Sequence, residues 1–194
     1  MVNTSKIQKP HRNLVITLLH ALFSRVYENN AFLYMILNTA RDQRIYPMLL
    51  TSGSNYYCLF EETKKDTALY LVRIKPTDPF FLWCCDLGLT QDWMVFFTSI
   101  EKSLKYLGLY FKNSLLTDDP HNWKRNVHYY DARVLPAYLQ TCNFHERKTI
   151  FKVIIKFWVP QQDSINSFNI TQFNADGSTE SLLVDKKISK KFPL

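Results

Sequence analysis

An α+β fold with antiparallel sheet is predicted by three observations. Helical and strand periodicities occur in separate blocks along the chain rather than alternating. Turn clusters of Ser, Gly, Asn, Lys and Asp divide short runs rich in Tyr, Val, Leu and Ile. Glycine occurs only 4 times in 194 residues, so no Gly-rich phosphate loop of a doubly wound fold is present.

Residues 1–10 are polar, end in Pro10, and read as a flexible arm. From His11 the pattern is helical, with Val15, Leu18, Leu19, Leu22 and Val26 on one face. Asn30 can cap a second helix with Phe32, Met35 and Ile36 inward. Three short runs, Arg44–Leu50, Tyr56–Glu61 and Ala68–Ile74, then predict a three-stranded antiparallel meander. Pro76 and Pro79 stop that sheet, and Phe80–Cys85 forms an apolar plug, either a buried strand or a packed loop.

The spacing of Trp93, Phe96, Phe97, Ile100, Leu104, Leu107 and Phe111 predicts one central amphipathic helix over Thr90–Phe111. In that reading Ile100 and Leu104 are core residues. Leu115–Arg125 reads as a loop and Val127–Asp131 as a strand. Pro136 suits the first turn of a short helix through Tyr138, Leu139 and Cys142. C-terminal antiparallel strands follow: Thr149–Val159, ended by Pro160, and a hairpin of Ser167–Phe173 and Ser181–Val184 around Asp176-Gly177. Residues 11–185 are expected to form one domain, and 186–194 a basic tail.

Hydrophobic residues are 46% of the chain and charged residues 21%, which excludes a disordered chain, a coiled coil or a collagen-like fibre. No apolar run is long enough for a transmembrane segment. Lys6, Lys9 and Arg12 before the apolar stretch Leu14–Phe23 imitate a signal peptide, but His20 interrupts it and no small-x-small cleavage site follows. The four cysteines read as reduced, small apolar residues. The expectation is an intracellular protein, nuclear or cytoplasmic, with secretion as the alternative. Abundant Phe, Tyr, Ile, Asn and Lys suit an AT-rich coding sequence, as in a virus, a parasite or a yeast-like host.

The net charge is +7 and uneven. Residues 1–97 carry 10 basic and 8 acidic side chains; residues 98–194 carry 14 and 9. A basic half favours an acidic partner. Lys124, Arg125, Arg147, Lys148, Lys152 and Lys156, with Trp158 on the Lys152–Lys156 strand face, form a candidate nucleic-acid surface. Cations would track phosphates and an exposed ring would stack on unpaired bases.

Two further sets are candidates for chemistry. His121, His128, Cys142 and His145 carry imidazole and thiolate groups of the kind zinc accepts, in a spacing that matches no standard finger. His121, Lys124, His128 and Tyr130 could supply the acid, base and cation of phosphodiester cleavage. Nucleotide-binding, kinase, serine-hydrolase and metalloprotease motifs are absent. The leading expectation is therefore a small basic, non-enzymatic binding or accessory protein that uses protein or nucleic-acid contacts and no cofactor. The alternative is a metal-independent nuclease or phosphodiesterase.

Overall fold

In the computed structural model the residues described are 26, 30–61, 63–75, 78–89, 91–114, 116–118, 124–126, 131–164 and 167–185. They form an α+β fold built on a seven-stranded antiparallel sheet of order β2-β3-β1-β4-β7-β8-β9. The strands are β1 (Phe32–Asn38), β2 (Tyr56–Cys58), β3 (Leu69–Arg73), β4 (Met94–Ser99), β7 (Lys156–Ser164), β8 (Ser167–Asn174) and β9 (Thr179–Asp185). A separate two-stranded sheet pairs β5 (Leu116–Asp118) with β6 (Lys124–Asn126). Five helices complete the fold: α1 (Ile45–Thr51), α2 (Pro79–Gly88), α3 (Leu104–Ser114), α4 (Leu135–Thr141) and α5 (Phe144–Ile150).

The central strands of the sheet are buried on both faces. On one, Leu33, Met35, Leu37, Val72, Phe96 and Trp158 pack against Ile45 and Leu49 of α1 and Phe80, Phe81, Cys84 and Cys85 of α2. On the other, Tyr34, Ile36, Val95, Phe97, Phe157 and Phe173 pack against Leu107 and Phe111 of α3, Leu135 and Leu139 of α4, and Ile150 of α5. The result is three layers, helices on both sides of one antiparallel sheet.

This double burial explains where the sequence expectations fail. Phe32–Asn38 is strand β1, not a capped helix, and Met94–Ser99 is strand β4, not the first half of a long helix. A strand covered on both faces is a continuous apolar run, and such a run also satisfies helical spacing. The real helix begins only at Leu104. Ser103 caps it, its hydroxyl accepting from Tyr106 N at 3.2 Å while Leu107 N donates to Ser103 O at 3.0 Å. Ile100 falls in the connection and is 68% exposed, and Leu104 is only half-buried.

Arg44–Leu50 is largely helical rather than the first strand of a meander, because Ile45 and Leu49 point inward one turn apart and Pro47 fits a first turn. The strand that completes the β2-β3-β1 ladder is β1. The Phe80–Cys85 plug is helix α2, with Asp78 as its N-cap accepting from Phe80 N at 2.9 Å and Pro79 in the first turn. Thr149–Phe151 belong to α5 and its end; the strand starts at Lys156.

Pro160 does not end β7 but pairs with Ile170 inside it. β4 reaches only Lys156–Trp158, so no ladder bond on that side needs the missing N–H of Pro160. The short helix at Pro136 and the hairpin around Asp176-Gly177 lie where the sequence places them. The expected arm, the basic tail and all of the first helix except Val26, as well as Val127–Tyr130, lie outside the described residues.

Helix α3 anchors on Leu107, which is fully buried beneath the sheet. Leu107→Ala should lower the unfolding free energy by about 2–5 kcal/mol in urea titrations. Ile100→Ser should change it by less than about 0.5 kcal/mol. A single helix over Thr90–Phe111 would instead make both substitutions costly.

Candidate functional site

The strand registers bring one set of chain ends together. Tyr34 lies opposite Arg73, Phe32 opposite Ser99, Thr98 opposite Lys156, and Lys156 opposite Asn174. The start of β1, the ends of β3, β4 and β8, and the start of β7 therefore share one end of the sheet. Polar bonds knit this end to the helices. Ser99 Oγ donates to Val153 O at 2.5 Å, and Ile155 N donates to Thr98 O at 2.8 Å. Tyr110 Oη donates to Ile150 O at 2.6 Å and also meets Thr149 O, tying α3 to the last turn of α5. Tyr34 Oη donates to Glu101 O at 2.5 Å; burial pushes this phenol up to about 12, so it remains a donor.

This end carries cations from several separate segments: Arg73, Lys75, Lys102, Lys105, Lys148 and Lys152. Arg73 lies over the Phe32 ring at 4.0 Å and Lys102 at 5.5 Å, both within cation–π range. Among the described residues no carboxylate forms a salt bridge with Lys75, Lys102, Lys105, Lys148 or Lys152. The acids of the same end are engaged locally. Glu101 accepts from Ser103 N at 2.7 Å, Asp78 caps α2 and accepts from Ser54, and Asp176 accepts from Ser178.

Ile100 is exposed beside Lys102. On α3, Tyr106 lies one turn before Tyr110, on the stripe that reaches α5, and Leu109 lies one turn beyond Tyr106; both are exposed. These exposed apolar side chains share the connection and helix that carry Lys102 and Lys105.

The opposite end of the sheet is electrically balanced. Asp131 accepts from Arg41 at 2.8 Å and from Arg133 at 2.6 and 2.9 Å, while Arg44 holds Asp42 through a bidentate pair. The Arg133 hydrogen bonds, with Arg41 adding to them, hold the Asp131 carboxyl down to about 2.

The sequence candidates distribute as follows. Lys148 and Lys152 are exposed and Lys156 is half-buried, all at the cationic end. Lys152 lies before β7, so it does not share a strand face with Trp158. Trp158 itself is a core residue, 3% exposed, with Nε1 donating to Gln172 Oε1 at 3.2 Å; no ring face is open for a base. Arg147 is half-buried and donates to Leu139 O, so its guanidinium closes the end of α4 rather than facing outward.

Lys124 and Arg125 lie on β6, in the separate two-stranded sheet. His121, His128 and Tyr130 lie outside the described residues. Cys142 is the half-buried C-cap of α4, its thiol pushed up by burial, and His145 is exposed on α5. Among the described residues no group of three or more His, Cys, Asp or Glu could hold a metal ion. Arg73, Lys75, Lys102 and Lys105 were missed as members of a common surface, because only the strand order brings them to Lys148 and Lys152. The Ser103 cap was the one local signal for the turn that exposes Ile100.

The fold and this site define a sheet-centred α+β domain with an open cationic end. Residues 33–149, from β1 into the last turn of α5, match the family model described as Domain of unknown function (DUF4123), and the chain belongs to that family. Strands β7, β8 and β9 lie beyond the matched residues. No curated protein and no solved structure matches the chain. Among the described residues no helix is long and apolar enough to cross a membrane.

The depressed Asp131 carboxyl links folding to pH. Its contribution is complete above the unfolded carboxylate range near pH 4 and is lost as pH falls towards the folded value of about 2. Asp131→Asn should cost roughly 2 kcal/mol at pH 7. In urea titrations that difference should shrink steadily between about pH 4 and pH 2. A difference independent of pH would show that Asp131 acts through packing alone.

Proposed function

We propose that this protein is a non-enzymatic binding protein that holds an acidic protein partner at the cationic end of its sheet. The observation that carries the reading is the exposure of apolar Ile100, Tyr106 and Leu109 on the same connection and helix as Lys102 and Lys105, lysines that have no acidic partner among the described residues. Protein interfaces combine such groups, with apolar and aromatic side chains at the centre and charged groups at the rim. Rim lysines steer an acidic surface into place, while desolvated apolar side chains hold it. The tryptophan that the sequence offered as a stacking platform for a base, Trp158, is in the core.

Lys102, Lys105 and Lys152 are exposed, so their replacement leaves the core untouched. The tagged chain, purified from its own cell with and without nuclease, should retain an acidic protein in stoichiometric amount under both conditions. The folded variant Lys102→Glu/Lys152→Glu should lose at least about tenfold in affinity for that protein, mostly through slower association and with a weaker salt dependence. Leu109→Ser should instead speed dissociation. Loss of the partner on nuclease treatment, together with binding of a labelled DNA or RNA duplex by the pure protein, would assign the lysines to nucleic acid. Unchanged affinity in the charge-reversed variant would remove this end of the sheet as the binding surface.

A further inference from the structure

The two edges of the main sheet are managed differently. At one edge, β2 has only three residues and α3 lies against it, with Gly108 in close contact with Tyr57. At the other, β9 runs for seven residues, Thr179–Asp185, without a proline, a lysine, a glycine or a break in its register with β8. Edge strands of stable monomers ordinarily carry such blunting devices. Strand β9 also lies beyond the residues that match the family model.

The register identifies which backbone groups the edge presents. Asn174 N donates to Ser178 O at 3.0 Å, so Asn174 and Ser178 are a hydrogen-bonded pair. Such pairs alternate along an antiparallel ladder. Counting along β9, Glu180, Leu182 and Val184 bond to β8, whereas the N–H and C=O of Thr179, Ser181, Leu183 and Asp185 point away from it. The 3.3 Å approach of the Thr171 and Ser181 hydroxyls agrees, since the pairs without ladder bonds are the closely spaced ones.

We propose that β9 pairs antiparallel with β9 of a second copy of this chain, joining two seven-stranded sheets into one. A two-fold axis requires a self-opposed residue, and an outward-bonded position can take that place. With Leu183 opposite its own copy, Ser181 lies opposite Asp185 and Leu182 opposite Val184. Each register position is occupied twice by symmetry. Apolar Leu182 and Val184 oppose each other on both sides of the axis, as favourable cross-strand pairing requires. Centring on Ser181 instead sets Glu180 against Leu182 and loses this match. Leu182, exposed in one chain, lies next to the two-fold axis of the joint.

Sedimentation equilibrium of the full chain, over a roughly hundredfold range of concentration, should show a reversible dimer of the 23.0 kDa chain. Ser181→Pro removes an outward N–H and no bond to β8; it should yield a folded monomer. Hydrogen exchange of the unaltered protein supplies a second readout that needs no variant. The Ser181 and Leu183 amides should gain protection as concentration rises, while Leu182 stays protected throughout. A monomer across the whole range would overturn the proposal. So would a dimer whose Ser181 and Leu183 amides exchange equally fast at all concentrations, whether or not the proline variant folds.

Discussion

Burial of strand β1 on both faces is the constraint on which the other elements depend. Leu33 to Leu37 are all in the interior, with Leu33, Met35 and Leu37 on one side and Tyr34 and Ile36 on the other. Each such side chain contributes about 1.5–3 kcal/mol only if a layer covers it. One sheet face alone cannot meet that need, so α1 and α2 must lie on one side and α3, α4 and α5 on the other. The neighbouring strands β3 and β4 satisfy the backbone of β1 and repeat its double-sided pattern. Tyr34 and Phe97 stack across the β1–β4 pair at 5.2 Å, and Phe111 of α3 closes on Phe97 edge-to-face at 5.0 Å.

The proposed binding surface is a consequence of that arrangement. With both faces of the sheet occupied, the chain's polar residues are left to the strand ends and outer helix faces. At one end Arg41, Arg44 and Arg133 are matched by Asp42, Asp92 and Asp131. At the other end the acids are used as local acceptors for turns and caps, and among the described residues the lysines have no acidic partner. The connection from β4 to α3 adds Ile100 to the cationic end, because Tyr34 and Ser99 pin the turn on either side of it.

Legibility in the sequence followed exposure. The β3 strand, the Pro136 helix and the C-terminal hairpin each carry a local signal: turn clusters, a proline in the first turn, and Asp176-Gly177 with Gly177 at φ 91°. The central strands β1 and β4 carry none, since apolar residues on both faces erase the alternation that marks a strand. Two caps could have corrected the reading. Asp78-Pro79 begins α2, and Asn143 with Glu146 forms a capping box at the start of α5, a stretch partly read as strand. The basic character of the second half was legible, and Lys148, Lys152 and Lys156 do meet at one end. Their neighbours Arg73 and Lys102 were not, because proximity across β3, β1 and β4 is a property of strand order and not of spacing along the chain.

The account rests on residues 94–99 being a central strand paired on both sides, to β1 and to β7. Native-state hydrogen exchange tests this most directly. The amides of Leu33–Leu37 and Val95–Phe97 should be the slowest in the protein, opening only with global unfolding. A break in protection should follow at Ile100–Lys102, before protection resumes within α3. Continuous, graded protection from Trp93 through Phe111, as one long helix would give, would contradict the double-sided sheet and the cationic end built upon it.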